Sequence, residues 1–147
     1  MHCGQHAINE IMQRHDRSVY SVSDLDALTV EVHELERARC PDGRDTESHP
    51  DGYYPVETLL LAMRRKGLRS RFLRTTASVA SGEYVKAPDG YLVGTGNHYV
   101  AIVPGREDNF ELWDGGQRVR SAHSACALLH ASNVKPVMIV AFYRRRK

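Results

Sequence analysis

The apolar residues of this chain change their period partway along, and that change limits the folds open to it. From Gln5 to about Arg14, Ala7, Ile8, Ile11 and Met12 recur at helical spacing, with Asn9, Glu10 and Gln13 on the other face. A second helical pattern starts near Ser23, where Ser23 and Asp26 resemble a capping box ahead of Leu25, Leu28 and Val32. Its continuation from Glu31 to Arg39 is so heavily charged that it is expected to project into solvent. A third helix is expected from Pro55 to Lys66, with Pro55 at its first position, Gly67 just past its end, and Val56, Leu59, Leu60 and Met63 as the buried stripe. Thereafter the pattern is that of strands, at Arg69–Arg74, Gly90–Val93, His98–Val103, Phe110–Asp114 and Val137–Tyr143. One short helix near His123–Ala131 interrupts them. Helices followed by strands predict an α+β fold built on an antiparallel sheet.

Composition sets outer limits. A chain of 147 residues, 41% of them hydrophobic, suits one domain over residues 1–147. The net charge of +2 gives no reason to expect a nucleic-acid partner, and the basic end Arg144-Arg145-Arg146-Lys147 reads as solvated. Three cysteines, Cys3, Cys40 and Cys126, make a poor disulfide framework and point to a reducing compartment. No stretch suits a bilayer and no signal-peptide pattern opens the chain, so the expected setting is a cytosol, with no membrane partner and a monomeric state. The segment from Cys40 to Gly52 is loop-like and rich in Pro, Gly, Asp and Ser.

Three residues carry chemistry. Cys3 stands at the start of the first helix, where unpaired N–H groups and partial positive charge favour a thiolate, the reactive form of the side chain. His98 opens a strand and Asp114 closes the next. A hairpin that sets Ile102 opposite Phe110 and Val100 opposite Leu112 also sets His98 opposite Asp114, at the end away from the loop Pro104–Asn109. A carboxylate there accepts from one ring nitrogen and leaves the other free as a base. The three together read as nucleophile, general base and orienting acid. Gly4 is expected to allow close approach of substrate backbone, and Gly94, Gly96 and Asn97 to line a narrow channel. Trp113 packs near the histidine or in the core.

Cys3-Gly4-Gln5-His6-Ala7-Ile8-Asn9 resembles the nucleophile motif of Josephin-domain deubiquitinases, in which Cys-x-Gln-His is followed by an Asn. Asn97-His98-Tyr99-Val100 is similar to that family's His-aromatic strand start, and Leu112-Trp113-Asp114 to its Leu-x-Asp/Asn element, with Trp113 in place of the usual arrangement. Asp51-Gly52-Tyr53-Tyr54, the helix after it and Lys66-Gly67 also match. The resemblance implies a papain-like Josephin fold: an antiparallel sheet, an N-terminal catalytic helix, and a projecting helical arm from Glu31 onward. It implies a cysteine-type ubiquitin hydrolase with Cys3 as nucleophile, His98 as base and Asp114 as orienting acid. The partner would be ubiquitin or polyubiquitin, with no cofactor and no metal. His6 then reads as structural.

One departure is plain. The family places a Gln five residues before the nucleophile, and here only Met1 and His2 precede Cys3. Either the chain is truncated, or another oxyanion donor substitutes, the backbone N–H of Cys3 first and His2 second. Two rivals stand beside the main reading. Double-glycine leader peptidases share an early Cys-Gly, a late His-aromatic strand and a downstream Asp. A non-catalytic ubiquitin-binding module would explain the missing Gln. A metal site at His2, Cys3 and His6 matches no closed zinc spacing and lacks a fourth ligand.

Overall fold

The computed structural model describes residues 3–13, 19–39, 54–73, 89–95, 98–131 and 138–144. The expected loop at 40–52, the residues Met1, His2, Cys40, Gly96 and Asn97, and the basic tail beyond Arg144 lie outside the described residues. In chain order the elements are α1 (Cys3–Gln13), α2 (Val22–Arg39), α3 (Val56–Arg65), β1 (Leu68–Leu73), β2 (Gly90–Gly94), β3 (Tyr99–Pro104), β4 (Phe110–Asp114), β5 (Gln117–Ala122), α4 (Ala125–Ala131) and β6 (Met138–Arg144). This is the expected α+β architecture.

The six strands form one sheet in the order β1-β6-β2-β3-β4-β5, with every neighbouring pair antiparallel. Strand alternation divides the core into two layers. Tyr99, Ala101 and Val103 of β3 join Leu92, Val140 and Phe142 beneath α1, α2 and α3, against Ile8, Ile11, Leu25, Leu59 and Met63. Val100 and Ile102 turn the other way and pack with Tyr91, Val93, Leu112 and Ile139 against Leu128 and Leu129 of α4. The chain after Asp114 is integral to this sheet, because β6 sits between β1 and β2.

Three details differ from expectation. The capping box lies two residues earlier than Ser23 and Asp26: the Ser21 N–H donates to Asp24 Oδ2 at 3.0 Å and the Asp24 N–H to Ser21 Oγ at 3.1 Å. Asp26 instead accepts from the Tyr54 hydroxyl at 2.9 Å. The strand β5 has no counterpart in the sequence reading. Its residues are exposed except for the half-buried Ala122, so Arg118 and Arg120 hide its alternation. The β3–β4 register also differs, as Leu112 faces Ile102 rather than Val100.

Other expectations hold. Gly67 follows the end of α3 with φ 86°, and its N–H reaches Arg64 O at 3.0 Å; Pro55, expected at the first helical position, lies one residue before it, as the extended residue ahead of Val56. Residues 34–38 of α2 are exposed, as the charge of that segment required.

Candidate active site

The first turn of α1 and the ends of β3 and β4 meet at one end of the sheet. Cys3 is the first residue of α1 and is 6% exposed. An ideal Cβ built on Gly4 would lie 3.4 Å from Tyr99 Cδ2, which places this turn directly beside the residue after His98. Two residues further along α1, His6 covers the turn after β4: a Cβ on Gly116 would lie 3.4 Å from His6 Nδ1. The helix start therefore touches both strand ends that carry the candidate base and acid.

His98 Nε2 and Asp114 Oδ1 are 2.6 Å apart. The pair forms although the register is displaced by two residues from the assumed one. A displacement by an even number keeps both side chains on one face, so the carboxylate sits diagonal to the imidazole and still within reach. A displacement by one residue would have separated them. The turn that frees Asp114 is Gly115-Gly116, with φ of 61° and 83°, the left-handed region in which glycine carries no Cβ penalty. On the other side, the Thr95 N–H and Oγ1 donate to the His98 carbonyl at 2.9 and 3.3 Å and close the β2–β3 connection.

The Cys3 thiol makes no hydrogen bond among the described residues, so this structure joins His98 to Asp114 without closing Cys3 onto His98. Strand parity explains part of this. His98 and Asp114 share the face of Val100 and Leu112, whereas α1 covers the face of Tyr99 and Ala101. The helix start and the His98–Asp114 pair thus share one end of the sheet from opposite faces. Catalytic hydrogen bonds are commonly long in an unliganded enzyme and tighten on substrate binding.

Gln5 and Asn9 have an anchoring role that the sequence did not reveal. They are one helical turn apart, and both hold the backbone of Tyr20. Gln5 Nε2 and Asn9 Nδ2 each donate to Tyr20 O at 3.0 Å, and the Tyr20 N–H donates to Asn9 Oδ1 at 2.7 Å. The Tyr20 hydroxyl in turn donates to Ala62 O at 2.5 Å. The polar letters of the nucleophile motif thus tie the Cys3 helix to the segment before α2 and to α3. Their partner, Tyr20, carries no local signal that could have flagged it.

Packing accounts for Gly4, since Leu59 methyls at 3.1 and 3.4 Å and the Tyr99 ring fill the space a side chain would need. Gly96 and Asn97, the other expected channel residues, lie outside the described set. Trp113 is partly buried against the Cys3-side core, and its Nε1 donates to Glu111 Oε1 at 3.1 Å. Glu111, nearly buried, also accepts from Arg118 at 3.3 Å.

A helix-start cysteine set at the end of an antiparallel sheet beside a His–Asp pair is the layout of the papain-like peptidase domains. The chain belongs to the Josephin family, whose model matches residues 1–114. Among solved structures, the fold is similar to the peptidase domain of Streptococcus ComA, a bi-functional ABC transporter involved in a quorum sensing pathway. The two are 12% identical, with a TM-score of 0.56 over 98% of this chain and 92% of that one. A second structure, of the Streptococcus mutans ComA peptidase domain with a small-molecule inhibitor, aligns at 9% identity over 69% of this chain and 83% of that one, with a TM-score of 0.42. No curated protein matches the chain. No described helix is long and apolar enough to cross a membrane.

Proposed function

We propose that this chain is a thiol-dependent ubiquitin hydrolase, with Cys3 as nucleophile, His98 as general base and acid, and Asp114 as the residue that orients His98. The observation that carries this reading is the 2.6 Å contact of His98 Nε2 with Asp114 at the sheet end occupied by the start of the Cys3 helix, in a Josephin-family chain. With Nε2 engaged by the carboxylate, Nδ1 is the nitrogen left to work on the thiol. Cys3 Sγ attacks the carbonyl carbon of the last glycine of the ubiquitin tail as His98 takes the thiol proton. The C–N bond then breaks, the proton passes to the departing lysine amine, and a thioester remains. Water, deprotonated by His98, releases ubiquitin and regenerates the thiol. The N–H of Cys3, at the head of α1 and without an intrahelical acceptor, is one donor for the oxyanion. Gly4, Gly96 and Asn97 are the proposed lining for the Gly-Gly tail. The whole chain serves as one catalytic domain, working as a monomer in a cytosol, its own or that of a host.

A second reading, a leader peptidase cutting after Gly-Gly, draws its support from the likeness in fold to the ComA peptidase domain. The test is reaction with ubiquitin bearing a C-terminal alkyne, on this chain and on Cys3→Ala. Labelling that vanishes in Cys3→Ala is expected. A folded chain that stays unlabelled overturns the hydrolase reading. Cleavage of a double-glycine leader peptide would then favour the second reading, and ubiquitin binding without labelling would favour a non-catalytic module.

A further inference from the structure

Tyr99 occupies an unusual place between two glycines. Its ring carbons Cδ2 and Cε1 stand para to one another. The space a Cβ would occupy on Gly4 of α1 lies 3.4 Å from the first, and the equivalent space on Gly94 of β2 lies 3.6 Å from the second. Gly94 is also the ladder partner of Tyr99. The ring, 6% exposed, thus bridges from its own β-partner to the first turn of the catalytic helix. A Cβ on Gly4 would also lie 3.1 Å from Leu59 Cδ1, and one on Gly94 3.1 Å from Met138 Cε, so both places beside the ring are tight for a side chain.

The neighbours of these residues give the wedge its meaning. Gly4 is one peptide bond from Cys3, and Tyr99 is one peptide bond from His98. The His98 carbonyl is already fixed by Thr95 and its ring by Asp114. The Tyr99 ring, packed against Gly4, joins this fixed unit to the nucleophile's backbone. We propose that Tyr99 is a positioning residue whose ring sets the separation and angle between Cys3 and His98, with Gly4 as the small-residue seat that admits it. The inference rests on the thiol-hydrolase reading above. It assigns Gly4 a role in alignment in addition to any contact with substrate.

Misplacing reacting groups by about 1 Å costs roughly 10²-fold in rate. The loss is expected on kcat, because the buried ring acts on the spacing of the reacting pair. The experiment follows alkylation of Cys3 by iodoacetamide at neutral pH, read on the Cys3 peptide by mass spectrometry. The proteins are the full chain, His98→Ala, Tyr99→Leu, Tyr99→Phe and the double variant Tyr99→Leu/His98→Ala. Hydrolysis of a ubiquitin C-terminal coumarin amide gives kcat and KM.

The full chain is expected to alkylate at least about tenfold faster than His98→Ala, because the histidine assists deprotonation. Tyr99→Leu is expected to fall to the His98→Ala rate, with kcat reduced about tenfold to a hundredfold and KM within about threefold. Tyr99→Phe, which keeps the ring, restores both. In the double variant the Tyr99 substitution should add nothing, the mark of a residue acting through His98. Gly4→Ala, whose methyl would lie 3.1 Å from Leu59 and 3.4 Å from the Tyr99 ring and so must shift this packing, should reproduce the loss if Tyr99→Leu fails to fold. Wild-type alkylation and kcat in folded Tyr99→Leu, or in Gly4→Ala where Tyr99→Leu does not fold, overturn the inference. An equal loss with and without His98 also overturns it. Equal rates in the full chain and His98→Ala would instead defeat the catalytic reading, and the alignment inference with it.

Discussion

Replacing Asn9 should destabilise the protein more than its half-exposed place on α1 suggests. Asn9 pairs with Tyr20 as a neighbouring strand would, donating to the carbonyl at 3.0 Å and accepting from the N–H at 2.7 Å. Asn9→Ala removes both bonds, each worth about 0.5–1.5 kcal/mol net, and leaves the Tyr20 N–H without that acceptor, a further cost of about 1–3 kcal/mol where water is excluded. Gln5 still reaches the Tyr20 carbonyl, so the total should settle near 3 kcal/mol, roughly 6–12 °C in Tm for a chain of this size. Asn9→Asp separates the two bonds. Its carboxylate can still accept from Tyr20 N–H but cannot donate to Tyr20 O, and it places two acceptors face to face. The folded state then favours the protonated acid, which donates. The Asn9→Asp protein should therefore be most nearly native at pH below the unfolded carboxyl range and lose stability as pH rises through the higher folded value. Urea unfolding across pH measures both effects. Asn9→Ala within about 0.5 kcal/mol of the parent, or an Asn9→Asp deficit that does not shrink in acid, would refute the clamp.

Three further outcomes follow from the geometry. Asp114→Asn keeps an oxygen to accept from His98 and should lower kcat on a ubiquitin coumarin amide modestly, whereas Asp114→Leu should lower it by about 10²-fold; equal losses would remove orientation as the role of Asp114. Burial and the hydrogen bond to Asp26 push Tyr54 up to about 12. A raised folded value on a neutral acid gives stability that is whole below pH 10 and lost towards pH 12; alkaline unfolding of Tyr54→Phe should lack that component, and parallel curves would contradict it. Gly116→Ala should cost about 1–2 kcal/mol by thermal melting and impair activity, since φ is 83° and His6 lies 3.4 Å from the new methyl. Gly115→Asn, in open space at φ 61°, should be nearly neutral; the reverse order would mean that His6 does not seat the turn.

Helices α1 and α3 are legible because each has one dominant apolar face, and the ends of α3 because Pro55 fixes φ ahead of it and Gly67 permits the positive φ that ends it. The capping box is ambiguous in sequence because Ser23/Asp26 and Ser21/Asp24 have the same spacing, and only the fold shows that Asp26 is taken by Tyr54. The strand β5 is not legible in the sequence because an edge strand exposed nearly throughout needs no alternation, and Arg118 and Arg120 suit an edge that must not pair with another chain. The His98–Asp114 pairing is legible although the expected register differs from the observed one by two residues. It holds because face is set by parity, whereas exact register is set by the turn, here a short 3-10 segment at Arg106–Asp108 with Glu107 at φ 57°.

The sequence by itself determined the helices and five of the six strands in their order, and the kind of chemistry its cysteine, histidine and aspartate can perform. These depend on local periodicity and side-chain type, which travel with the chain. Only the tertiary structure decided that Gln5 and Asn9 grip Tyr20, that Gly4 and Gly94 seat the Tyr99 ring, and that His6 covers the turn below Asp114. Each of these is a contact between residues distant along the chain or set on different elements. Such contacts are chosen by packing among many candidates of equal local merit, and no short stretch of sequence encodes the choice.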